Sequence, residues 1–262
     1  MNSEKVSTFP IRTLMVNRMP VEVHTTRQAM GAAAGAEVAE RIRTLLGHQE
    51  RVRMAFAAAP SQEEFLVNLA IAPGIDWFRI TAFHLDEYLG LPAGHPAAFG
   101  TWLNDHLFAK VRPGEVYYLS GSTTDPAAQC RRYAELLAQK PLDLACIGIG
   151  ENGHIAFNDP PAADFRDPEA VKLVELEERC RIQQVNDGCF PRLDLVPRTA
   201  ITLTVPTIMS ALGIFCIVPG GRKARAVKDA LRGPVSTECP ASILRQHREA
   251  RMYLDVDSAA VL

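Results

Sequence analysis

Apolar and polar residues follow two periods along this chain. Short alternating or continuous apolar runs, typical of buried strands, are separated by longer stretches in which apolar residues recur every three or four positions, as in helices. Strands are predicted at 21–24, 51–58, 77–83, 116–119, 142–147, 171–176, 200–204, 214–218 and 252–256. Helices are predicted at 26–46, from 59, at 96–108, 125–139 and 179–185, from 206, up to 232, and from 240.

This alternation predicts an α/β fold. We expect a three-layer αβα arrangement with a mostly parallel, doubly wound sheet and right-handed crossovers. With 262 residues, 47% of them hydrophobic, the chain is long and apolar enough to form one domain over 1–262. Residues 1–19 show no clear period and are predicted to be a loose arm, while 159–167 is predicted to be a mobile flap or loop.

Charge and composition narrow the classes of function. The formal net charge is -2, and no run of lysines or arginines forms a basic patch, so neither nucleic acid nor a membrane is an expected partner. No apolar stretch approaches the roughly 20 residues of a spanning helix, and no signal peptide is recognisable, which predicts a cytoplasmic protein. The six cysteines form no CxxC pair and are predicted to be reduced and structural, and no metal-ligand spacing is present.

Polar chemistry concentrates in the loop that follows the strand at 142–147. Gly148 and Gly150 let the backbone approach another group closely, and His154 lies among amide and carboxylate residues that can tune its pKa for proton transfer. Ligands of open α/β sheets bind beyond the carboxyl ends of strands, where this loop is expected. The alternative for His154 is a structural histidine.

Two further positions are candidates. Asp86 and Glu87 follow the strand at 77–83, where adjacent carboxylates serve either as catalysts or as solvated caps. Lys223 lies at a glycine turn that opens a helix, a place that favours anions, although an ordinary first-turn lysine is the alternative. Ser61 and Glu64 match the capping box of a helix start.

Two motifs resemble those of the glucosamine-6-phosphate deaminases. His84 to Pro92 is similar to the Asp-Glu-Tyr segment of that family, and Gly148 to Pro160 is similar to its Gly-His-Ile-Ala-Phe-Asn loop. Weaker matches lie at 203–205 and 219–224. The related 6-phosphogluconolactonases usually carry Asp-Glu-Arg at the first motif, so the chain is identified as a divergent member of the deaminase branch.

The resemblance implies an enzyme that opens an amino-sugar ring, moves a proton between C2 and C1, and hydrolyses the C2 imine to release ammonia, without a metal or organic cofactor. Asp86 would be the proton shuttle, His154 would exchange a proton with the ring oxygen, and Lys223 would hold phosphate. Gly148 and Gly150 would let the sugar lie against the backbone, and Ser61 and Glu87 are further substrate-binding candidates. Whether copies assemble into a homo-oligomer is left open.

The chain also departs from the family pattern. Asn152 stands where relatives have Asp, and Asp159 where they have Glu; both are kept as catalytic candidates, with Asn152 able to orient His154 but not to carry charge. The family's Thr-Gly-Gly-Thr phosphate loop is replaced by 59–64, in which Pro60 lacks an N–H donor and two glutamates repel anions. Asn186 falls about where a phosphate-binding arginine is expected.

Three hypotheses follow from these matches and departures. The first is an isomerase or deaminase of an amino sugar, phosphorylated or not. The second is a sugar-lactone hydrolase in which His154 activates water, and the third is a non-catalytic sugar-binding relative. In all three the partner is a small-molecule sugar or sugar phosphate.

Overall fold

The predicted alternation produces a central sheet of eight strands in the computed structural model, which describes residues 8–262. The strands of the whole chain are β1 (Arg12–Val16), β2 (Met19–His24), β3 (Val52–Phe56), β4 (Ile80–His84), β5 (Asp86–Tyr88), β6 (Glu115–Tyr117), β7 (Leu144–Ile147), β8 (Val171–Glu175), β9 (Thr199–Leu203), β10 (Gly213–Val218) and β11 (Ala250–Asp255). The order in the central sheet is β1-β2-β11-β10-β7-β3-β4-β6, and every pair is parallel except β1 with β2.

Helices connect the strands, and their starts follow the expected capping chemistry. The hydroxyl of Thr26 accepts a hydrogen bond from the N–H of Ala29, and Asp125 caps the fifth helix in the same way ahead of Pro126. The helices are α1 (Arg27–Leu46), α2 (Glu63–Ala70), α3 (Phe99–Leu103), α4 (Ala109–Val111), α5 (Pro126–Ala138), α6 (Glu178–Asn186), α7 (Val205–Met209) and α8 (Ala224–Arg232). Shorter 3₁₀ segments are Pro60–Gln62, Trp77–Arg79, Leu193–Leu195, Gly221–Lys223 and Pro240–Gln246, and a π-helical turn, Asn104–Phe108, joins α3 to α4.

Both faces of the central sheet are covered. Successive residues of β3 point to opposite sides, so that Ala55 packs in one apolar cluster while Met54 and Phe56 pack in the other. The mostly parallel sheet is therefore flanked by helices on both sides within one domain, as predicted. Among residues 8–262, no helix is long and apolar enough to cross a bilayer.

A second sheet was not predicted. β5, β9 and β8 form a separate antiparallel sheet, although the sequence pattern assigned the segments of β8 and β9 to the parallel sheet. Asp86 and Glu87 therefore lie in a strand and not in a loop, since β5 begins only one residue after β4. Leu85 makes this bend, and its N–H still donates to the carbonyl of Phe56.

The start of the chain also differs from the prediction. Arg12–Val16 and Met19–His24 form an antiparallel hairpin at the edge of the central sheet, with Asn17 in the left-handed region at its turn. The predicted loose arm is thus wrong for Arg12–Val16, because pairing with β2 orders residues whose sequence shows no clear period. The strand predicted at 21–24 lies within β2, which pairs with β11. Residues 1–7 of the predicted arm lie outside the described residues.

The segment 159–167, predicted to be a flap or loop, is irregular. Lys172 on β8 donates hydrogen bonds to the carbonyl of Ala162 at 2.6 Å and to Asp167 Oδ2 at 2.7 Å. These two bonds tie the segment to the second sheet.

Candidate active site

A cavity lies where the strand order reverses, between β3 and β7. After β3 the chain continues to β4 on one side, and after β7 it returns to the sheet at β10 on the other side. The loops that follow β3 and β7 therefore diverge at the carboxyl edge of the sheet. Ligands of such sheets usually bind at this position. This site cavity is lined by polar residues and glycines from several loops: Ser61, Gln62, Asp86, Gly148, Gly150, His154, Gln183, Gln184 and Lys223. Six of the nine predicted site residues are thereby brought together.

The site cavity is small, at about 60 Å³. Cavities that bind drug-sized ligands usually measure about 300–1,000 Å³. A second cavity of about 340 Å³ shares Ser61 and Lys223 with it. A sugar bound beside Asp86 would therefore extend past Lys223 into this second cavity, or would require the site to widen.

Asp86 is the buried carboxyl group of the site. It is 6% exposed, lines the site cavity and begins β5, where it is paired with Thr202. Burial raises the pKa of Asp86 well above its usual range, and the nearby charges of Glu87 and Asp159 add to that effect. A carboxyl group with a raised pKa can both take up and return a proton near neutral pH.

His84 fixes the backbone of Asp86, a role that the sequence did not reveal. Its Nε2 accepts a hydrogen bond from the N–H of Leu119 at 2.9 Å, which leaves the proton on Nδ1, and Nδ1 lies 2.9 Å from the carbonyl of Asp86. Burial lowers the pKa of His84 to about 4, so the ring is neutral in this arrangement. The ring therefore braces the strand start that carries the carboxyl group.

The acid limb of the pH profile should report the pKa of Asp86. The carboxylate form accepts the substrate proton, and burial raises the pKa, so activity should be lost as pH falls through a value above the ordinary carboxyl pKa of about 3.9. The measurement is kcat/KM against pH, with circular dichroism at each pH to confirm folding. An acid limb at or below pH 4 in folded protein would contradict this assignment.

His154 is paired with Asp159 behind the site cavity. Its Nδ1 lies 2.9 Å from Asp159 Oδ1. Burial alone would raise the pKa of Asp159, but the charge of His154 and the hydrogen bond from Asn152 hold it below its ordinary value. An ionised Asp159 keeps the proton of His154 on Nδ1, which leaves Nε2 free to exchange a proton with a ligand.

Asn152 supports Asp159 and does not contact the imidazole. Its Nδ2 donates to Asp159 Oδ1 and to Glu177 Oε2, both at 2.9 Å, and its Oδ1 accepts from the backbone N–H of His154 at 3.1 Å. The expected hydrogen bond that orients His154 is thus made to its backbone. Because Glu177 and Asp159 both point at this position, an amide fits where a third carboxylate would be repelled.

Asn152→Asp should destabilise the protein. The substitution replaces two donated hydrogen bonds by repulsion between carboxylates, and we expect a loss of about 1–3 kcal/mol in unfolding free energy at neutral pH. The loss should shrink at acidic pH as the new carboxyl group is protonated. Thermal unfolding against pH measures this, with the exposed Asn104→Asp as the matched control; equal melting temperatures for both variants would contradict it.

Two glycines leave room for side chains of the site itself. A Cβ at Gly150 would overlap the ring of His154, and a Cβ at Gly148 would lie 2.9 Å from Nε2 of Gln62. Both glycines line the site cavity, as predicted for sugar binding. Their immediate effect is to admit these two side chains.

Glu87 has a different use from the one predicted. Its carboxylate accepts hydrogen bonds from the backbone N–H groups of Tyr88, Phe99 and Gly100 at 2.9–3.0 Å, which anchors the start of α3. It lines a separate surface cavity and not the site cavity. Burial raises the pKa of Glu87 to about 7 despite these three bonds. The strand of the second sheet, which the sequence pattern did not reveal, turns this side chain away from Asp86.

The predicted capping box at Ser61 and Glu64 is not formed. The chain enters α2 through the 3₁₀ segment Pro60–Gln62 with no side-chain cap, and Glu64 instead pairs with Arg27 at 2.6 Å. The hydroxyl of Ser61 accepts from Gln62 Nε2 at 3.3 Å. Pro60 explains the difference, because it starts a tight turn three residues before the regular helix.

Lys223 reaches the site from the glycine turn after β10. The positive φ of Gly220 makes this turn, and Lys223 is 6% exposed. Burial lowers the pKa of Lys223, an effect that Asp187 and Glu151 oppose. Lys223 is therefore placed to interact with an anion or a sugar oxygen at the junction of the two cavities.

One group among residues 8–262 has the side chains of a metal site. The ligand atoms of His154, Asp159 and Cys180 all lie within 4.8 Å of one another and are buried. Two of them already interact with each other, since Nδ1 of His154 lies 2.9 Å from Asp159 Oδ1. The six cysteines are free, as expected, but Cys180 contacts the site and is not only a core residue.

Known proteins are similar to this chain in sequence. A sequence model described as glucosamine-6-phosphate isomerases/6-phosphogluconolactonase matches residues 25–253. A glucosamine-6-phosphate deaminase of Exiguobacterium sibiricum is 39% identical over 188 residues, covering 72% of this chain and 73% of that protein. One from Listeria welshimeri is 32% identical over 240 residues, covering 92% and 99%.

Solved structures are similar as well. A monomeric glucosamine-6-phosphate deaminase superposes with a TM-score of 0.84 and 29% identity, covering 92% of this chain and 99% of that one. A 6-phosphogluconolactonase from Thermotoga maritima has a TM-score of 0.73 at 18% identity, covering 90% and 98%, and shares the fold. The chain belongs to the glucosamine-6-phosphate isomerase/6-phosphogluconolactonase family.

Proposed function

We propose that this protein is an amino-sugar isomerase and deaminase. The observation that carries the proposal is that two different acid–base groups line one cavity. Asp86 is a buried carboxyl group with a raised pKa, and His154 is an imidazole next to the carboxylate of Asp159. The first group suits proton transfer at carbon and the second suits proton transfer at oxygen. The names of the relatives support the same chemistry.

Ring opening comes first. His154 Nε2 returns a proton to the ring oxygen while the anomeric hydroxyl loses one, which yields the open-chain aldehyde. Asp159 balances the charge of the imidazolium during this exchange, and Asn152 holds Asp159 in place. Lys223 steadies the far end of the sugar at the junction of the two cavities.

Proton transfer between carbons follows. The carboxylate of Asp86 takes the proton from C2 while O1 of the aldehyde gains a proton, which gives the enolamine. Asp86 then returns its proton to C1 as the nitrogen loses one. The resulting C2 imine adds water and expels ammonia, so that one amino sugar and one water become one ketose and one ammonia. Two oxygens on one carboxylate can serve both carbons without movement of the backbone, which His84 braces.

The test is the product. We expect equimolar ammonia and ketose from at least one of glucosamine, galactosamine and their 6-phosphates, and none with Asp86→Asn. Release of acid from a sugar lactone without ammonia would indicate the lactone hydrolase instead. Saturable sugar binding without turnover of any of the four compounds would indicate a non-catalytic relative.

A further inference from the structure

Three buried side chains with metal-binding atoms meet beside the site cavity. His154 and Asp159 lie in the loop after β7, and Cys180 lies on α6. Their nitrogen, oxygen and sulfur atoms all lie within 4.8 Å of one another. Asp159 and Cys180 are each 1% exposed, whereas His154 lines the site cavity. The group is therefore enclosed by protein and borders the cavity at His154.

Two polar atoms of this group have no hydrogen-bond partner. Among residues 8–262, neither Nδ1 of His154 nor Oδ2 of Asp159 makes a hydrogen bond, although both atoms are buried. Nδ1 lies 2.9 Å from Oδ1 of Asp159, but this contact between charges is not aligned as a hydrogen bond. A buried polar atom without a partner costs about 1–3 kcal/mol. Two such atoms in one group indicate a partner that the described protein does not itself supply.

Asn152 determines which oxygen of Asp159 is available. Its Nδ2 donates to Oδ1 of Asp159 and to Oε2 of Glu177, both at 2.9 Å, so Oδ1 is held and Oδ2 remains. Glu177 comes directly before α6. The amide of Asn152 therefore links the loop of His154 and Asp159 to the helix of Cys180. Hydrogen bonds of this kind orient the ligands in metal sites.

The three types of side chain are suited to zinc. Thiolate and imidazole bind Zn²⁺ well, whereas Mg²⁺ and Ca²⁺ prefer oxygen ligands. Zinc lies about 2.0–2.3 Å from such ligands, so the ligand atoms around a tetrahedral ion are about 3.5 Å apart, and shifts of about 1 Å would bring the group to that geometry. A thiolate and a carboxylate also neutralise the charge of the ion, which lowers the cost of burying it.

We propose that His154, Asp159 and Cys180 form a Zn²⁺ site, and that zinc bound there inactivates the catalytic histidine. The thiol of Cys180 loses its proton to solvent when zinc binds, and coordination of Nδ1 moves the ring proton of His154 to Nε2. An Nε2 that already carries a proton cannot accept one from the anomeric hydroxyl, so ring opening stops. The inhibition rests on the proposed function, whereas the metal site does not.

Cys180→Ser tests the site, because a hydroxyl is similar in size to a thiol but is a poor zinc ligand. Equilibrium dialysis of the whole protein against zinc chloride should show zinc binding to wild type. We expect Cys180→Ser to weaken it by at least the factor of about 10–100 that loss of a hydrogen-bond partner of a metal ligand costs. His154→Gln should weaken it as well. The control is Cys130→Ser, a buried cysteine on α5 outside this group, which should bind zinc as wild type does.

Cobalt reports the sulfur ligand directly. Co²⁺ adopts the same geometry as zinc, and a bound thiolate gives it a charge-transfer absorption in the near ultraviolet. We expect this band in wild type and in Cys130→Ser, and its absence in Cys180→Ser. Equal zinc affinity in wild type and Cys180→Ser would overturn the proposal, as would wild-type protein that takes up no zinc or shows no charge-transfer band with cobalt.

Ammonia release in the presence of zinc separates this inference from the proposed function. Zinc chloride should lower the rate as the site fills, an excess of chelator should restore it, and Cys180→Ser should need about tenfold more zinc or greater for the same fractional inhibition. Unchanged turnover with the site filled would refute the inhibition. Zinc bound through Cys180 in a protein that releases no ammonia from any of the four sugars would support the metal site and refute the deaminase.

Discussion

Asp86→Asn should lower kcat by about a thousandfold or more while leaving the fold intact. Asn has the same shape, but its amide cannot accept the C2 proton or return it to C1, and general-base catalysis is worth about 10²–10⁴-fold. The exposed fraction of Asp86 is only 6%, so water does not readily replace the lost base. Removing a buried carboxyl group whose pKa is raised by burial should leave the stability equal or higher.

The measurement is exchange of the C2 hydrogen of the amino sugar into deuterated water, followed by NMR. Exchange requires ring opening and the base but none of the later steps, so it should disappear in Asp86→Asn even if later steps differ. Asp143→Asn is the control, because Asp143 is another buried carboxylate, which accepts from the N–H of Arg53 beside the opposite end of β7. Exchange at the wild-type rate in folded Asp86→Asn would rule out Asp86 as the base.

His154→Gln should lower kcat/KM by about a hundredfold and change which step limits the rate. Gln fills much of the space of the imidazole and retains polar atoms, but it cannot shuttle a proton to the ring oxygen. Ring opening should then become limiting. The substitution also removes the ion pair with Asp159, so the loss of kcat/KM includes the contribution of that pair to ring opening.

A kinetic isotope effect distinguishes the two proton transfers. With substrate deuterated at C2, the effect on kcat/KM should fall toward unity in His154→Gln, because the slow step no longer breaks the C–D bond. The exposed His48→Gln should retain the wild-type value. An isotope effect that rises in His154→Gln would place His154 at the carbon transfer and would contradict its assignment to the ring oxygen.

Much of the architecture was predictable because it depends on local patterns. The strands at 144–147 and 213–218 are continuous apolar runs, the strand at 52–56 has alternating apolar residues, and α1 begins after its N-cap Thr26 and ends at Leu46 as its cap and period indicate. The second sheet was not predictable, because β8 and β9 have the same alternation whether their neighbours are parallel or antiparallel. The role of Glu87 depended on that sheet.

The candidate site was likewise predictable only in part. Glycines and a histidine in one loop indicated the position of His154, and the position of Asp86 after an apolar strand indicated the proposed base. The partners of these residues were hidden, since Glu177 lies 25 positions from Asn152 and Gln62 lies 155 positions from Ile217. No local pattern records contacts between such distant residues.

The sequence by itself determined most of the strands and helices, the family, and the candidate site residues, since each of these is written in short motifs and in periodicity. The tertiary structure alone decided which charge each site residue faces. Folding places Asn152 between two carboxylates and pairs Arg27 and Arg222 with acidic residues. Within residues 8–262, it leaves Oε1 of Gln62 without a hydrogen-bond donor. The physical reason is that burial and charge pairing depend on distances through space, which the order of residues does not specify.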